Sequence, residues 1–459
     1  MPEVAENIHK TSDQAGSLGL GMCTALVVGN MIGSGFFIAP AALAPYGTVA
    51  IIGWGVMAFG AVCLGLVFAR LARIAPATGG PYAYTRLGFG RFAGFLIAWG
   101  YWISIWASLP AMAAALVGYL GTLIPQLHEH PLLNIALAVG SIWLVAAVNL
   151  RGVKQAGLFQ AVTTYTKLVP FTGIAVFGLF WVDWTTFETI NPSGKPFLGA
   201  LAATAPITMF AFLGLESATV PAGQVSDPTR TIPRATVLGT LIAAFVYILG
   251  TTVVIGVIPR ETLMLSSAPF ADAARVMWGD WAAIVIAVAA IISSLGALNG
   301  WTLMLSQVPM AAARDGAMPS LFARISARGV PAHGILISVT LATLLLLVNA
   351  AGTRAMAAFY NLIVNLSTDA AMIPYVFCSV VEAILFINRN PLSRTLNIGP
   401  YVPIGIVAFV FSVGTIYGAG ADAGMWSLIL LLLAVPVWIH LSAAGRAAAV
   451  ETVARTDQD

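Results

Sequence analysis

Gly33-Ser34-Gly35-Phe36-Phe37-Ile38-Ala39-Pro40 and Gly214-Leu215-Glu216-Ser217-Ala218-Thr219-Val220-Pro221 are the two stretches on which the fold turns. Each opens on Gly, closes on Pro seven positions later, and is flanked on both sides by apolar sequence. Gly and Pro interrupt helices. Irregular backbone at membrane depth is tolerated only where it is buried in protein or lines a cavity. A pair of interrupted hydrophobic segments at corresponding places in two halves points to a transporter's binding site. Kinked or closely packed helices would use the same residues, since Gly and Pro are frequent in membrane spans. Two breaks of equal spacing, one carrying a carboxylate, favour the site.

Composition sets the class. Hydrophobic residues make up 59% and charged residues 8%, against roughly 25% charged in soluble domains. Apolar runs of spanning length recur from end to end. The net charge of +3 gives no reason to expect a nucleic-acid partner. Cys23, Cys63 and Cys378 lie in apolar sequence without a CxxC or a nearby His, and read as small core residues. The stretch from Met1 to about Ser17 is polar and lacks an apolar h-region, so no cleavable leader is expected. HExxH, GxSxG and Walker patterns are missing, and His128-Glu129-His130 is a weak metal signal. No catalytic residue, metal or cofactor is expected. A membrane-embedded enzyme or a receptor is disfavoured by the missing catalytic cluster and sensor domain.

Twelve spans are expected, at about 18–41, 49–73, 91–123, 132–150, 157–182, 198–225, 235–258, 281–311, 333–350, 356–387, 399–419 and 424–443. Segment 260–279 is amphipathic and too polar to cross; short surface helices are expected there. With the N-terminus inside, sixteen Lys and Arg fall on the inner side and four on the outer, and Lys167 falls within a span. That asymmetry supports an even number of spans with both termini cytoplasmic; the inner (plasma) membrane is the expected location. Residues 18–182 and 198–387 then form two five-span halves of opposite orientation, each broken in its first span. Spans at 399–443 stand outside the repeat, between tails 1–17 and 444–459. The expected fold is an all-α membrane protein with a leucine-transporter-type 5+5 inverted repeat and broken first and sixth helices.

Several residues are placed to carry the chemistry. At the first break a half-helix starts at midplane, so backbone amides and a partial positive charge face the centre. A carboxylate is the natural guest for Ser34 and Gly35, with Asn30 adding a side-chain hydrogen bond. Phe210, Leu213 and Gly214 offer an aromatic lid and carbonyls suited to an ammonium group. Glu216 is an ionisable group at membrane depth, a functional candidate by default and a candidate proton carrier; a carboxylate bonded to local backbone is the structural alternative. Lys167 lies about ten residues into its span, roughly 15 Å deep, too far for easy snorkelling. It pairs with a carboxylate, takes the place of a bound sodium ion as a fixed positive charge, or serves a structural role. Asp369 and Asn365, one turn apart on one face, either bind a cation in the cavity or hydrogen-bond at a helix interface. Trp301 follows Asn299-Gly300 deep in its span and is a candidate to face substrate, whereas Trp102 and Trp106 read as packing.

The chain resembles bacterial members of the amino acid–polyamine–organocation superfamily, most nearly the basic amino acid/polyamine antiporters. The resemblance covers about residues 18–440 and rests on Gly29-Asn30-Met31-Ile32-Gly33-Ser34-Gly35, Gly79-Gly80-Pro81-Tyr82-Ala83-Tyr84, and Phe212-Leu213-Gly214-Leu215-Glu216-Ser217-Ala218. Asp227-Pro228, Ile232-Pro233, Ala268-Pro269-Phe270 and Gly300-Trp301-Thr302 add to it. It implies alternating access, a substrate carboxylate at Ser34 and Gly35, an α-amino group at carbonyls near Leu213 and Gly214, coupling at Glu216 and a gate at Trp301. It implies amino acid or polyamine substrates, protons and membrane lipid as partners, and it admits a homodimer. Three positions depart from the arginine/agmatine exchangers: Leu109 replaces an Asn, Phe210 a Trp, and Lys167 a small residue. Two readings therefore stay open. Glu216 and Asp369 favour sodium-independent antiport of a basic amino acid or polyamine; Leu109 and Lys167 favour proton-coupled uptake of neutral amino acids.

Overall fold

A computed structural model describes residues 18–75, 79–351, 356–389 and 401–443. The tails at 1–17 and 444–459 lie outside those residues. Eleven helices among the described residues are long and apolar enough to cross a membrane, and the shorter apolar helix Ala332–Val348 completes the expected twelve. The only β-type pairing among them is one isolated parallel bridge, Leu18 to Val225.

The first span is two helices, α1 (Leu20–Met31) and α2 (Ser34–Leu43). Then come α3 (Thr48–Ile74), α4 (Pro81–Leu123), α5 (Pro131–Leu150) and α6 (Val153–Phe177). α7 (Phe197–Phe212) leads into the second break, followed by α8 (Pro228–Val257), α9 (Arg260–Leu265), α10 (Pro269–Trp278), α11 (Asp280–Arg314), α12 (Ala332–Ala351) and α13 (Met356–Arg389). α14 (Tyr401–Ala419) and α15 (Ala421–Leu432) close the bundle. The first span is almost wholly buried, whereas Ala421–Ala443 is mostly exposed. The first therefore runs through the centre and the last along the rim. Phe59, Leu238, Leu241, Phe245, Val410 and Leu428 point outward, as lipid-facing side chains do. Small residues let the central helices close up: a Cβ on Gly239 of α8 would stand 2.6 Å from Val27 of α1.

Three features differ from the sequence expectations. α4 starts at Pro81, ten residues early, and absorbs the offset in a kink at Gly90, whose φ of 86° suits glycine. Its first turns bury Pro81, Tyr82, Ala83 and Tyr84 beside the second break, where Gly79 N–H donates to Val220 O at 3.2 Å. The second break does not resume as an α-helix: after Phe212 the chain makes turns and two short 3₁₀ pieces, Ser217–Thr219 and Ala222–Gln224. The Ser217 and Thr219 hydroxyls bond back to Gly214 O and Glu216 O, and Pro221 offers no N–H. α10 is amphipathic as expected but is no mere surface helix. It buries Phe270 against Phe36, Phe37 and Phe171 and caps the end of the core.

Candidate functional site: a closed pocket between the two breaks

At Ile32 the backbone turns extended (ψ 92°), and α2 restarts at Ser34. The last carbonyls of a helix have no partner within it, and here α6 and α11 supply one. Lys167 Nζ donates to Gly29 O at 2.8 Å and also to Ile32 O. Ser293 Oγ donates to Ile32 O at 3.0 Å, and Thr164 Oγ1 to Ala25 O at 3.0 Å. Lys167 is fully buried. Its amino group caps the C-terminal end of α1, where the helix dipole favours a cation.

The N-terminal end of α2 faces a pocket lined by Asn30, Met31, Gly33, Ser34, Gly35, Ser104, Ser108, Met112, Phe210, Leu213, Ala297 and Trp301. About 10 Å³ remains for the centre of a water-sized sphere, room for a single water at most. The pocket is thus closed, and a solute of several heavy atoms enters only if its walls part. Two glycines permit this closeness. A Cβ on Gly33 would stand 2.7 Å from Ala297 Cβ, and one on Gly35 2.9 Å from Phe210 Cδ1.

Trp301 lines the pocket and donates through Nε1 to Asn30 O at 3.2 Å. Asn30 Nδ2 donates to Ser217 Oγ at 2.7 Å, which joins the two breaks directly. Gly214 O is occupied by the N–H and hydroxyl of Ser217, so of the two carbonyl positions expected for an ammonium it is already engaged. Glu216 lies beside the pocket, fully buried, and accepts hydrogen bonds from the Tyr101 hydroxyl on one oxygen and the Tyr375 hydroxyl on the other. It therefore joins the second break to α4 and α13, and it is not paired with Lys167. Asn365 and Asp369 do not reach this pocket. They face the contact of α13 with the α14–α15 connection, where Asn365 donates to Ala419 O at 3.5 Å.

Sequence reasoning missed Ser104, Ser108 and Met112 on α4, Ala297 on α11 and the Tyr375 partner. Ser104 and Ser108 are four apart on an apolar helix, a one-face signal that was there to read. Each hydroxyl donates to its own helix, to Tyr101 O at 2.8 Å and Ile105 O at 2.7 Å. Their lone pairs are left to accept from a guest. A buried amide network behind the pocket was also missed. Asn149 Nδ2 donates to Asn299 Oδ1 at 3.0 Å, and Asn299 Nδ2 donates to Ala156 O at 2.9 Å and Gln160 Oε1 at 3.3 Å, fixing α5, α6 and α11 around the first break.

A central pocket between two broken spans, in a bundle of apolar helices, defines a secondary transporter. The sequence profile described as amino acid permease matches residues 18–439, and the chain belongs to that family. It is 30% identical over 422 residues to the putrescine transporter PotE of Escherichia coli (strain K12), covering 92% of this chain and 95% of that protein. It is 32% identical over 437 residues to the cadaverine/lysine antiporter of the same strain, covering 91% and 94%. In structure it is similar to a Na+-coupled sialic acid symporter solved in a substrate-bound outward-open state, with TM-score 0.54, 14% identity and coverage of 88% and 90%. That likeness establishes the leucine-transporter type of fold. The chain is accordingly a multi-pass membrane transporter and not an enzyme.

Proposed function

We propose that this transporter is a sodium-independent exchanger of basic amino acids and polyamines, working across the inner membrane by alternating access. The observation that carries the proposal is the Lys167 ammonium on the carbonyls of Gly29 and Ile32. A covalently fixed cation occupies the carbonyl end of the break, which leaves no role there for a soluble one. The named relatives, a putrescine transporter and a cadaverine/lysine antiporter, support the substrate class. In this reading the substrate carboxylate meets the start of α2 at Ser34 and Gly35, its α-amino group lies near Leu213, and its cationic tail reaches the Ser104 and Ser108 hydroxyls. Trp301 gates the pocket, and Glu216 couples the second break to protons. Residues 18–182 and 198–387 act as the two opposed halves, with both termini cytoplasmic, as the sixteen-to-four Lys and Arg split supports. A homodimer in the membrane fits the family resemblance.

Proton-coupled uptake of a neutral amino acid is the second reading, favoured because no charged side chain lines the pocket. Proteoliposomes preloaded with lysine, ornithine, putrescine, cadaverine or a neutral amino acid, and challenged with each in labelled form, separate the two. Exchange that needs a basic compound on both sides, with an unchanged initial rate when choline replaces sodium, is expected. Strict sodium dependence would defeat the Lys167 argument. Net uptake of neutral amino acids driven by a proton gradient would favour the second reading.

A further inference from the structure

Asp369 has no part in the pocket, yet its surroundings are unusual for a carboxyl group. It is 1% exposed, and neither oxygen has a hydrogen-bond partner among the described residues. Oδ2 lies 3.8 Å from where a Cβ on Gly424 of α15 would stand, so the carboxyl faces that helix. Its polar neighbours are committed elsewhere. The Thr368 hydroxyl donates to Pro206 O at 3.3 Å, and Ser427 Oγ donates to Leu366 O at 3.5 Å. Asn365 Nδ2 is directed at Ala419 O.

The helices packed against α13 are α3, α4, α7, α14 and α15. Their charged groups are Arg70 and Arg73 on α3, Arg86 and Arg91 on α4, and Asp422 on α15; α13 itself adds Glu382 and, at its far end, Arg389. Arg70 pairs with Glu382, Arg86 pairs with Asp315, Arg91 is directed at Asp315 O, and Asp422 is exposed. The Tyr375 phenol is spent on Glu216, and Tyr417 of α14 is exposed. Among the described residues no charged side chain pairs with Asp369.

An ionised carboxylate buried without a partner costs several kcal/mol, and such a group neutralises instead. A bound metal is a poor way to do so, because hard cations gather six or more oxygens and only this one carboxyl is on offer. Among the described residues no three His, Cys, Asp or Glu side chains form a metal cluster. We infer that Asp369 is a proton-binding site separate from the substrate pocket, loaded while α13 is packed on α15 and released when that contact opens to water. The inference rests on the transport reading only for its consequence: proton uptake at Asp369 favours the closed packing, so exchange responds to pH through a group that never meets substrate.

Infrared spectroscopy of the purified full chain in lipid nanodiscs tests the protonation without reference to any substrate. At neutral pH the wild type is expected to show a protonated-carboxyl C=O band that shifts on deuteration and disappears in Asp369→Asn. A jump to alkaline pH, read with an indicator dye, should release about one proton fewer from Asp369→Asn. Asp369→Glu should move the band instead of abolishing it, which keeps the test decisive if the amide variant folds poorly. In proteoliposomes Asp369→Asn should still exchange but lose one titrating step of its pH profile. A band unchanged by both substitutions overturns the proposal. So does a band abolished by added sodium, which would make Asp369 a cation site. Failure of exchange for every amino acid and polyamine would sink the proposed function and leave the infrared result standing.

Discussion

Glu216 receives one phenol on each oxygen, from Tyr101 of α4 and Tyr375 of α13. That is the donor pattern an anionic carboxylate requires. Glu216→Gln replaces an acceptor by an NH2 that meets a phenol already donating, so one tyrosine must turn. The variant is expected to fold, to lose about 1–3 kcal/mol in thermal unfolding, and to give exchange that loses one titrating step of its pH profile while keeping the step assigned to Asp369. A wild-type pH profile together with wild-type substrate preference would leave Glu216 purely structural. The glycines, Glu216 and Lys167 were legible in sequence because bare backbone and charge at membrane depth are costly enough to stand out. Direction was not legible. Asn365 and Asp369 have the right depth on α13, yet they face the α14–α15 connection and not the pocket, and only packing decides which stripe of an apolar helix turns inward. Tyr375 was missed for the same reason, since a phenol among aromatics gives no sign of where its hydroxyl points.

The early start of α4 matters most among the elements. Its first turns reach over the second break, and there the Tyr82 hydroxyl donates to Asp315 Oδ2 at 2.7 Å while Arg86 pairs with the same oxygen. Asp315 caps the end of α11, the helix that carries Trp301, so this cluster ties that helix to α4. Both charged partners are more than a third exposed, which limits the ion pair to about 0–1 kcal/mol. Asp315→Asn is therefore expected to shift the balance towards opening at this end by roughly fivefold or less. Faster labelling of an Ala83→Cys thiol by a membrane-impermeant reagent reads that shift; unchanged labelling would show that the cluster does not hold the end shut. Apolar length and loop charge marked where helices run. They did not reveal that Gly90 would let one helix turn through a kink, nor that the second break would continue as 3₁₀ pieces.

Across the whole molecule, the most buried span lies at the centre and the last span at the rim, and the number of apolar helices matches the sequence reading. One small feature has mechanical reach. Leu18, just before the first broken span, forms a parallel bridge with Val225, just past the second, and Ser226 N–H donates to Leu18 O at 3.0 Å. Together with the Asn30–Ser217 bond, it bolts the two interrupted segments together at two heights. They can then rock only as one rigid body against the helices that flank them. A covalent staple distinguishes a bolt from a latch. Bridged residues stand about 5 Å apart, within disulfide reach, so oxidising a Leu18→Cys/Val225→Cys pair should leave exchange running. A Tyr82→Cys/Asp315→Cys pair joined by a reductant-cleavable bifunctional thiol reagent, between parts that must separate, should arrest exchange until a reductant is added. Arrest by the first staple would mean that the two interrupted segments slide past each other in every cycle.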